Sequence, residues 1–325
     1  MKISAILSFL SFNRYMIISL FFGLFSFAGQ WKLFRVFSDY TQGKNQKILA
    51  TAVLYTPSIW FWGSGLMKDS ICLGAVGFII HILYKNIVKR EINLKQWLIL
   101  PVLVFIIFII KSYIIMILLG SIMAVIFVRY VWQLKNILVR IAVILIFLIF
   151  SSGVIIFSDI PSQVNEIVQE SYAQVQSFQQ NYQSLQSEDA TRSGFEVGEI
   201  DQSLSSMAIK APQVIFTCLF RPFLWESRKI IIFFTALEST MLLIATLYLL
   251  FKTKFVGFFS ITFKNPLILF SFVSSIFFAL VIGFTTFNFG TMIRYKIILL
   301  PFYYFMLVAI YNKITPEKLP DALPS

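Results

Sequence analysis

Apolar runs of about the length of a bilayer core recur along this chain, and they constrain its fold more than any other feature. A helix needs about 20 apolar residues to cross the hydrocarbon core. Hydrophobic residues make up 58% of the 325 residues and charged residues only 13%, against about 25% charged residues in soluble domains. So little polar surface would not coat a globule in water. The sequence therefore predicts an all-α, polytopic integral membrane protein.

The apolar runs predict about nine transmembrane helices and one long polar segment. Residues 1–157 hold six spans, residues 158–228 form the polar segment, residues 229–311 hold three spans and residues 312–325 form a tail. The predicted spans are 15–29 (with a possible extension back through 4–12), 49–64, 70–84, 97–110, 113–128, 137–157, 229–251, 266–286 and 297–311. Residues 97–110 and 113–128 are read as a hairpin broken at Lys111 and Ser112, because one straight helix would overshoot the bilayer by about 18 Å.

Basic residues divide unequally between the two sets of loops. Sixteen Lys and Arg residues fall on one set and six on the short segments of the other. Cytoplasmic loops carry the excess of Lys and Arg, so the first set and the C-terminus are predicted to be cytoplasmic. Residues 158–228, which hold nine acidic residues, are then external. The basic residues of the cytoplasmic loops account for the net charge of +12. No nucleic-acid partner is predicted, because no basic run has interleaved aromatic residues on a soluble domain.

The external segment, about 70 residues long, has a pattern of its own. Apolar residues recur at helical spacing from Pro161 to Leu185 and predict an amphipathic helix that lies on the membrane or on the bundle. Residues 184–203 are polar and predict a loop. Pro212 and Pro222 bracket about nine residues, too few to span, so this part predicts a re-entrant or interfacial helix.

Metal and cofactor sites are not predicted. Cys72 and Cys218 lie in apolar runs, where a cysteine is usually a small buried hydrophobe. One histidine, His81, and two separated cysteines do not supply a zinc ligand set. No glycine-rich phosphate loop or nucleophile elbow occurs in the sequence.

Four polar clusters lie near the predicted external face. They are residues 57–70, Lys111, residues 221–226 and residues 288–296. They supply five cations suited to phosphate, because guanidinium groups give bidentate contacts and ammonium groups a point charge. The predicted phosphate-binding cations are Lys68, Lys111, Arg221, Arg294 and Lys296.

Three carboxylates accompany these cations, and each is a candidate general base on a sugar hydroxyl. They are Asp69, Glu226 and Glu238, the last about ten residues into a predicted span, where a charge is costly. Simpler roles are open for several of these residues. Asp69 could cap a helix, Lys111 could reach the interface, Glu226 could only pair with Arg221, and Glu238 could be a buttress between helices.

The combination of PSIWFWGSGLMKDS (57–70), KSY (111–113), RPFLWES (221–227), ALES (236–239) and NFGTMIRYK (288–296) resembles a group of bacterial polysaccharide-biosynthesis proteins. The group comprises the O-antigen polymerases and ligases and the GT-C-type membrane glycosyltransferases. The resemblance covers about residues 15–311. It implies transfer of sugar from a polyprenyl-diphosphate-linked glycan at the external face of the bacterial inner membrane.

The resemblance also implies residue roles. Arg221, Arg294 and Lys68 would contact phosphate, and Asp69, Glu226 or Glu238 would be the base. The chain departs from the group by lacking an acidic pair in the first outer loop, so metal dependence is not predicted. The orientation places the N-terminus outside. Either residues 4–29 form a bent hairpin around Asn13 and Arg14, or the chain begins downstream of spans that its relatives possess.

Two other functions remain open from the sequence. A transporter or flippase component for a lipid-linked or anionic substrate would show broken helices near the midplane and internal repeats. No repeat is found, and the polar groups lie near one face, which favours the enzyme. The third possibility is a non-catalytic membrane scaffold whose external segment binds a partner.

Overall fold

The chain folds into a bundle of α-helices. The structure is a computed structural model that describes residues 9, 11–134, 136, 138, 139, 204–227, 230–286 and 288–315. Strands are absent from these residues, which confirms the all-α prediction for them. Their helices are α1 Tyr15–Tyr40, α2 Gln46–Leu54, α3 Pro57–Gly63, α4 Lys68–Leu83, α5 Leu94–Gln133, α6 Leu204–Phe220, α7 Ile230–Lys264, α8 Pro266–Thr285, α9 Phe289–Lys296 and α10 Leu300–Ile314.

Several predictions lie outside the described residues. They concern the span 137–157, the amphipathic helix from Pro161, the loop 184–203 and the tail beyond residue 315. Of the polar segment 158–228, the structure describes residues 204–227. Their main element is α6, a helix of 17 residues that contains Pro212 and is longer than the segment of about nine residues predicted between Pro212 and Pro222.

Five described helices are long and apolar enough to cross a membrane. A sixth span is obtained if α9 and α10, which meet at a bend of 61°, are counted as one. The chain is thus a helical membrane protein, but the count of nine spans is not confirmed. The five spans are Tyr15–Tyr40, Lys68–Val88, Leu94–Gln133, Ile232–Lys264 and Pro266–Thr285.

The predicted span 49–64 is wrong, because this segment consists of two short helices. Helix α2 has 9 residues and α3 has 7. Between them Thr56 leaves the helical region with φ −59° and ψ 124°. Proline disfavours helical torsions in the residue before it and suits the first turn of a helix. Pro57 therefore ends one helix and begins the next.

Two predicted spans extend further than expected. Helix α1 continues to Tyr40, so Lys32 and Arg35 lie on its last turns and not in a loop. Helical structure after residue 251 continues to Lys264 through a break at Lys254, whose φ is 55°. The predicted loop 252–265 is therefore mostly helical.

Helix α5 is broken at the position where the sequence predicts an interruption. Lys111 has φ −153° and ψ 82° inside a helical segment of 40 residues. The first part of α5 runs antiparallel to α4, since Gln96 accepts a hydrogen bond from Asn86 at one end (3.0 Å) and Lys111 meets Asp69 at the other. Residues after the break pack against α8, where Gly120 lies beside Phe277. Residues 94–133 are therefore two helical segments joined at Lys111, in agreement with the break predicted there.

Helices α1 and α4 approach each other so closely that only glycine fits. A Cβ atom on Gly77 would lie 2.0 Å from the carbonyl oxygen of Gly29, and one on Gly29 would lie 2.0 Å from that of Gly74. Small residues allow such backbone contact between helices in membranes. The contact fixes α4, and with it Asp69, inside the bundle.

Helix α10 lies at the centre of the packed helices. Its residues 300–310 are almost all buried, and Phe305 stacks on Phe37 of α1 with ring centroids 4.0 Å apart. The bundle has two ends that polar contacts define. The Asp69 end contains Asp69, Lys111 and Arg294. The Asp39 end contains Asp39, Tyr84 and Lys89, and the 16 residues of α4 separate the two by about 24 Å.

Candidate functional site

Asp69 is a buried carboxylate that two cations share. Its side chain is 3% exposed, and it lies in the first turn of α4. Oδ1 accepts a hydrogen bond from Lys111 Nζ at the break in α5, while Oδ2 lies 3.1 Å from Arg294 Nε of α9. Three distant parts of the sequence thus meet at one carboxylate. Because this contact contains two cations and one carboxylate, it has a net charge of one positive unit.

Arg294 lies at the outer edge of this contact. Its side chain is 36% exposed, whereas that of Lys111 is 11% exposed. Nη2 donates to the hydroxyl of Tyr295 at 3.3 Å. Nε is buried and finds no well-aligned acceptor among the described residues, although Asp69 is close enough for an ion pair. The Arg294 guanidinium is therefore attracted by the Asp69 carboxylate, and some of its N–H groups remain able to donate hydrogen bonds to a ligand.

Lys111 is also held by an aromatic ring. Its Nζ lies 3.4 Å from the ring centroid of Tyr295. Such a contact is worth about 2 kcal/mol when the cation is desolvated. Tyr295 therefore orients both cations, because its ring faces Lys111 and its hydroxyl accepts from Arg294.

Glu238 forms a second buried polar group, on α7. Its residue is 8% exposed. Oε2 accepts hydrogen bonds from the backbone N–H and the hydroxyl of Ser58, at 3.2 and 2.6 Å, and Oε1 accepts a longer one from Tyr304 at 3.4 Å. Ser58 lies in the first turn of α3, where free N–H groups and the helix dipole favour a carboxylate.

Lys296 is the most deeply buried cation of the site, at 2% exposure. Its Nζ donates to Ser239 Oγ at 3.1 Å. No carboxylate lies within ion-pair distance of it in the part of the chain that the structure describes. Ser239 in turn donates to the carbonyl oxygen of Arg221 at 3.4 Å, so a polar chain joins α9, α7 and the end of α6.

Arg221 and Glu226 form a local ion pair. Glu226 also accepts from the backbone N–H of Phe223 at 2.8 Å. Both carboxylate oxygens of Glu226 are thus engaged within the segment after α6, so the simpler role, a local ion pair that stabilises this segment, accounts for Glu226. The guanidinium of Arg221 lies 5.3 Å from the ring centroid of Phe289, the first residue of α9, which keeps Arg221 near the other site residues.

Lys68 makes no polar contact with another side chain among the described residues, unlike the other predicted site residues. Its side chain is exposed at the start of α4, and no ion pair engages it within residues 9–139 or the other described ranges. The structure therefore brings Asp69, Lys111 and Arg294 into direct contact. It connects Lys296 and Arg221 through Ser239, and it places Glu238 beside Ser239 in sequence.

Sequence reasoning missed four residues that shape the site. Tyr295 and Ser58 lie inside polar clusters that the sequence singled out. The sequence offered a signal for each of them: Tyr295 is an aromatic residue next to Arg294, and Ser58 follows a proline that begins a helix. Ser239 and Tyr304 carried no signal, because a serine and a tyrosine in an apolar helix are ordinary. The missed residues are Ser58, Ser239, Tyr295 and Tyr304.

The arrangement suits an anion better than a metal. Five cations and three carboxylates belong to the predicted set, and the carboxylates already accept hydrogen bonds or ion pairs. No group of three His, Cys, Asp or Glu side chains able to hold a metal occurs in the described ranges. The fold and site define an all-α membrane protein with a cation-rich polar cluster at one end of its bundle.

Comparison with known proteins adds no family. No family model matches the chain, and neither a curated protein nor a solved structure matches it. The resemblance to polysaccharide-assembly proteins therefore stays a prediction from the residues.

Proposed function

We propose that the Asp69 end binds the phosphate or diphosphate group of a lipid-linked sugar, and that the protein acts in polysaccharide assembly as a glycosyltransferase- or polymerase-like enzyme. In this proposal the Asp69 end faces the exterior of a bacterial inner membrane. The observation that carries the proposal is the convergence of Lys111 and Arg294 on the single buried carboxylate of Asp69.

The charge balance supports an anionic ligand. Asp69 neutralises one of the two cations that contact it, whereas the buried ammonium group of Lys296 is attracted by the carboxylate of Glu238 beyond ion-pair distance. Arg294 is partly exposed, so its planar guanidinium is accessible to two phosphate oxygens at once. Ionisable side chains within membrane-spanning helices are costly and often mark substrate pathways.

The hydrogen bonds favour a different role for each carboxylate in this proposal. Each oxygen of Asp69 faces a cation, so Asp69 positions Lys111 and Arg294. Glu226 is occupied by Arg221 and by the backbone. Glu238 keeps the most acceptor capacity, because Oε1 makes only the 3.4 Å contact with Tyr304. Glu238 is therefore the candidate base.

A test in cells uses a strain whose surface glycan depends on this chain. Arg294→Lys keeps the charge but loses the planar fork, so it should shorten or reduce the glycan while the protein remains in the membrane. Lys313→Ala, an exposed change on α10, is the control and should leave the glycan normal. Normal glycan with Arg294→Lys as the only copy would count against the phosphate role.

A transporter is the second candidate, and one observation favours it. Two interrupted helix pairs meet at Glu238, since Ser58 follows the break between α2 and α3 and Tyr304 follows the 61° bend between α9 and α10. Transporters place substrate groups at such discontinuous helices. Reconstituted vesicles with a fluorescent isoprenyl diphosphate separate the two candidates. Protein-dependent movement of the probe between leaflets supports transport, and binding without movement supports the enzyme.

A further inference from the structure

The Asp39 end contains a cavity of about 880 Å³ that the proposed function does not use. It lies between the last turns of α1 and the end of α4, on the far side of the bundle from Asp69. Its walls include Trp31, Arg35, Asp39, His81, Lys85 and Lys89. A cavity of this size holds a small ligand or a lipid headgroup.

Positive charge exceeds negative charge along these walls. Lys89 Nζ lies 2.7 Å from Asp39 Oδ2, and Lys85 Nζ lies 2.7 Å from Glu91 Oε2. Both lysines are thus paired with carboxylates. Arg35 is exposed and has neither a hydrogen bond nor an ion pair with any residue in the described ranges. Its guanidinium is the cation left over for a ligand.

The C-terminal ends of α1 and α4 oppose an anion, because helix C-termini carry partial negative charge. This effect is reduced at α1, where the hydroxyl of Thr41 donates to the carbonyl oxygens of Phe37 and Ser38, at 3.0 and 3.2 Å. A full charge on Arg35 outweighs the remaining partial charges, which act only over the last turn.

His81 also lines the cavity, and the residue is 8% exposed. Its Nδ1 has no hydrogen-bond partner among the described residues, but this atom is enclosed by protein, so a ligand in the cavity does not contact it in this conformation. Arg35 and the excess of positive charge along the walls therefore carry the inference.

We propose that this cavity binds the phosphate group of an anionic ligand, with Arg35 as the contacting cation. Trp31 forms part of the wall and is 45% exposed on the apolar helix α1. An aromatic side chain of this kind suits the boundary between headgroups and acyl chains. The ligand is then a membrane phospholipid headgroup or a soluble phosphate compound, which share this chemistry.

The test titrates the full-length protein in a neutral detergent with three probes. These are phosphatidylglycerol, phosphatidylcholine and inorganic phosphate, and native mass spectrometry counts the bound molecules. Arg35→Gln removes the free cation. Arg129→Gln is the matched control, because Arg129 is also exposed on a helix but lies outside the cavity.

If the ligand is a lipid, the wild type should bind phosphatidylglycerol more tightly than phosphatidylcholine. Arg35→Gln should weaken the binding of phosphatidylglycerol by about fivefold or more, and Arg129→Gln should leave it unchanged. Arg35→Glu should abolish the preference. A soluble ligand predicts that inorganic phosphate binds in an Arg35-dependent way with no preference between the lipids. Equal binding of every probe by Arg35→Gln and Arg129→Gln would overturn the proposal.

Discussion

Asp69 Oδ2 lies 3.1 Å from Arg294 Nε, and the same carboxylate binds Lys111 through Oδ1. One buried charge therefore holds α4, the break in α5 and α9 together. The contact makes Asp69 important for stability as well as for any ligand, because its loss leaves two cations facing each other in a mostly buried place.

Asp69→Asn should destabilise the protein strongly. Removing one partner of a buried ion pair costs roughly 3–5 kcal/mol, because the remaining charge is uncompensated. The midpoint of thermal unfolding in detergent should fall clearly. Asp39→Asn is the control, since the Asp39–Lys89 pair is 46% and 38% exposed and such pairs contribute about 0–1 kcal/mol. Equal effects of the two changes would contradict the central position of Asp69.

Lys296→Met should separate stability from function. Lys296 is 2% exposed and donates to Ser239, and no carboxylate lies within ion-pair distance of it among the described residues, although Glu238 attracts it over a longer distance. A buried charge outside an ion pair carries a desolvation cost, which an apolar side chain of similar volume does not. The thermal midpoint should therefore stay or rise, while binding of an isoprenyl diphosphate should weaken. A large fall in the midpoint would mean that Lys296 is a structural residue.

The membrane class and most residues of the polar cluster could be predicted from the sequence. Membrane spans are local, and costly charges such as Lys111 and Arg294 are visible wherever they interrupt an apolar pattern. The break at Lys111 could also be predicted, because an uninterrupted helix would overshoot the bilayer. These inferences need no knowledge of which helices touch.

Other features depend on tertiary contacts and could not be predicted. The division at Thr56 and Pro57 is an error of another kind, because Pro57 marks it in the sequence but the apolar composition of residues 49–64 favoured a single span. The meeting of Ser58 and Tyr304 at Glu238 needs the packing of α3, α7 and α10. Lys68 was predicted to belong to the site because it is a cation beside Asp69, but its side chain is exposed. Adjacent residues of a helix face different directions, so a neighbour of Asp69 in the sequence need not share its contacts.

Gly77→Ala should disrupt the contact between α1 and α4. The added Cβ would lie 2.0 Å from the carbonyl oxygen of Gly29, so a backbone must move. Overpacking of this kind costs about 1–3 kcal/mol or more. The thermal midpoint should fall, and Gly257→Ala, whose Cβ would meet Thr253 at an ordinary 3.5 Å, should not lower it. An unchanged midpoint for Gly77→Ala would show that the two helices are further apart.

Cysteine labelling tests which end of the bundle is external. Ser64 is exposed between α3 and α4 near the Asp69 end, and Thr253 lies near the break in α7. An impermeant thiol reagent added to intact cells should modify Ser64→Cys and spare Thr253→Cys. The native Cys72 and Cys218 are buried and should give little background. The reverse pattern would reverse the orientation and place the Asp69 end inside.

The most direct measurement is the affinity of the purified protein, in phosphatidylcholine nanodiscs, for geranylgeranyl diphosphate and for the uncharged alcohol geranylgeraniol. The account predicts that the wild type prefers the diphosphate, and that Arg294→Lys weakens its binding by about tenfold or more because bidentate contact is lost. Arg129→Lys, an exposed change away from the site, should bind like the wild type. Equal affinity for diphosphate and alcohol, or wild-type affinity in Arg294→Lys, would contradict the account.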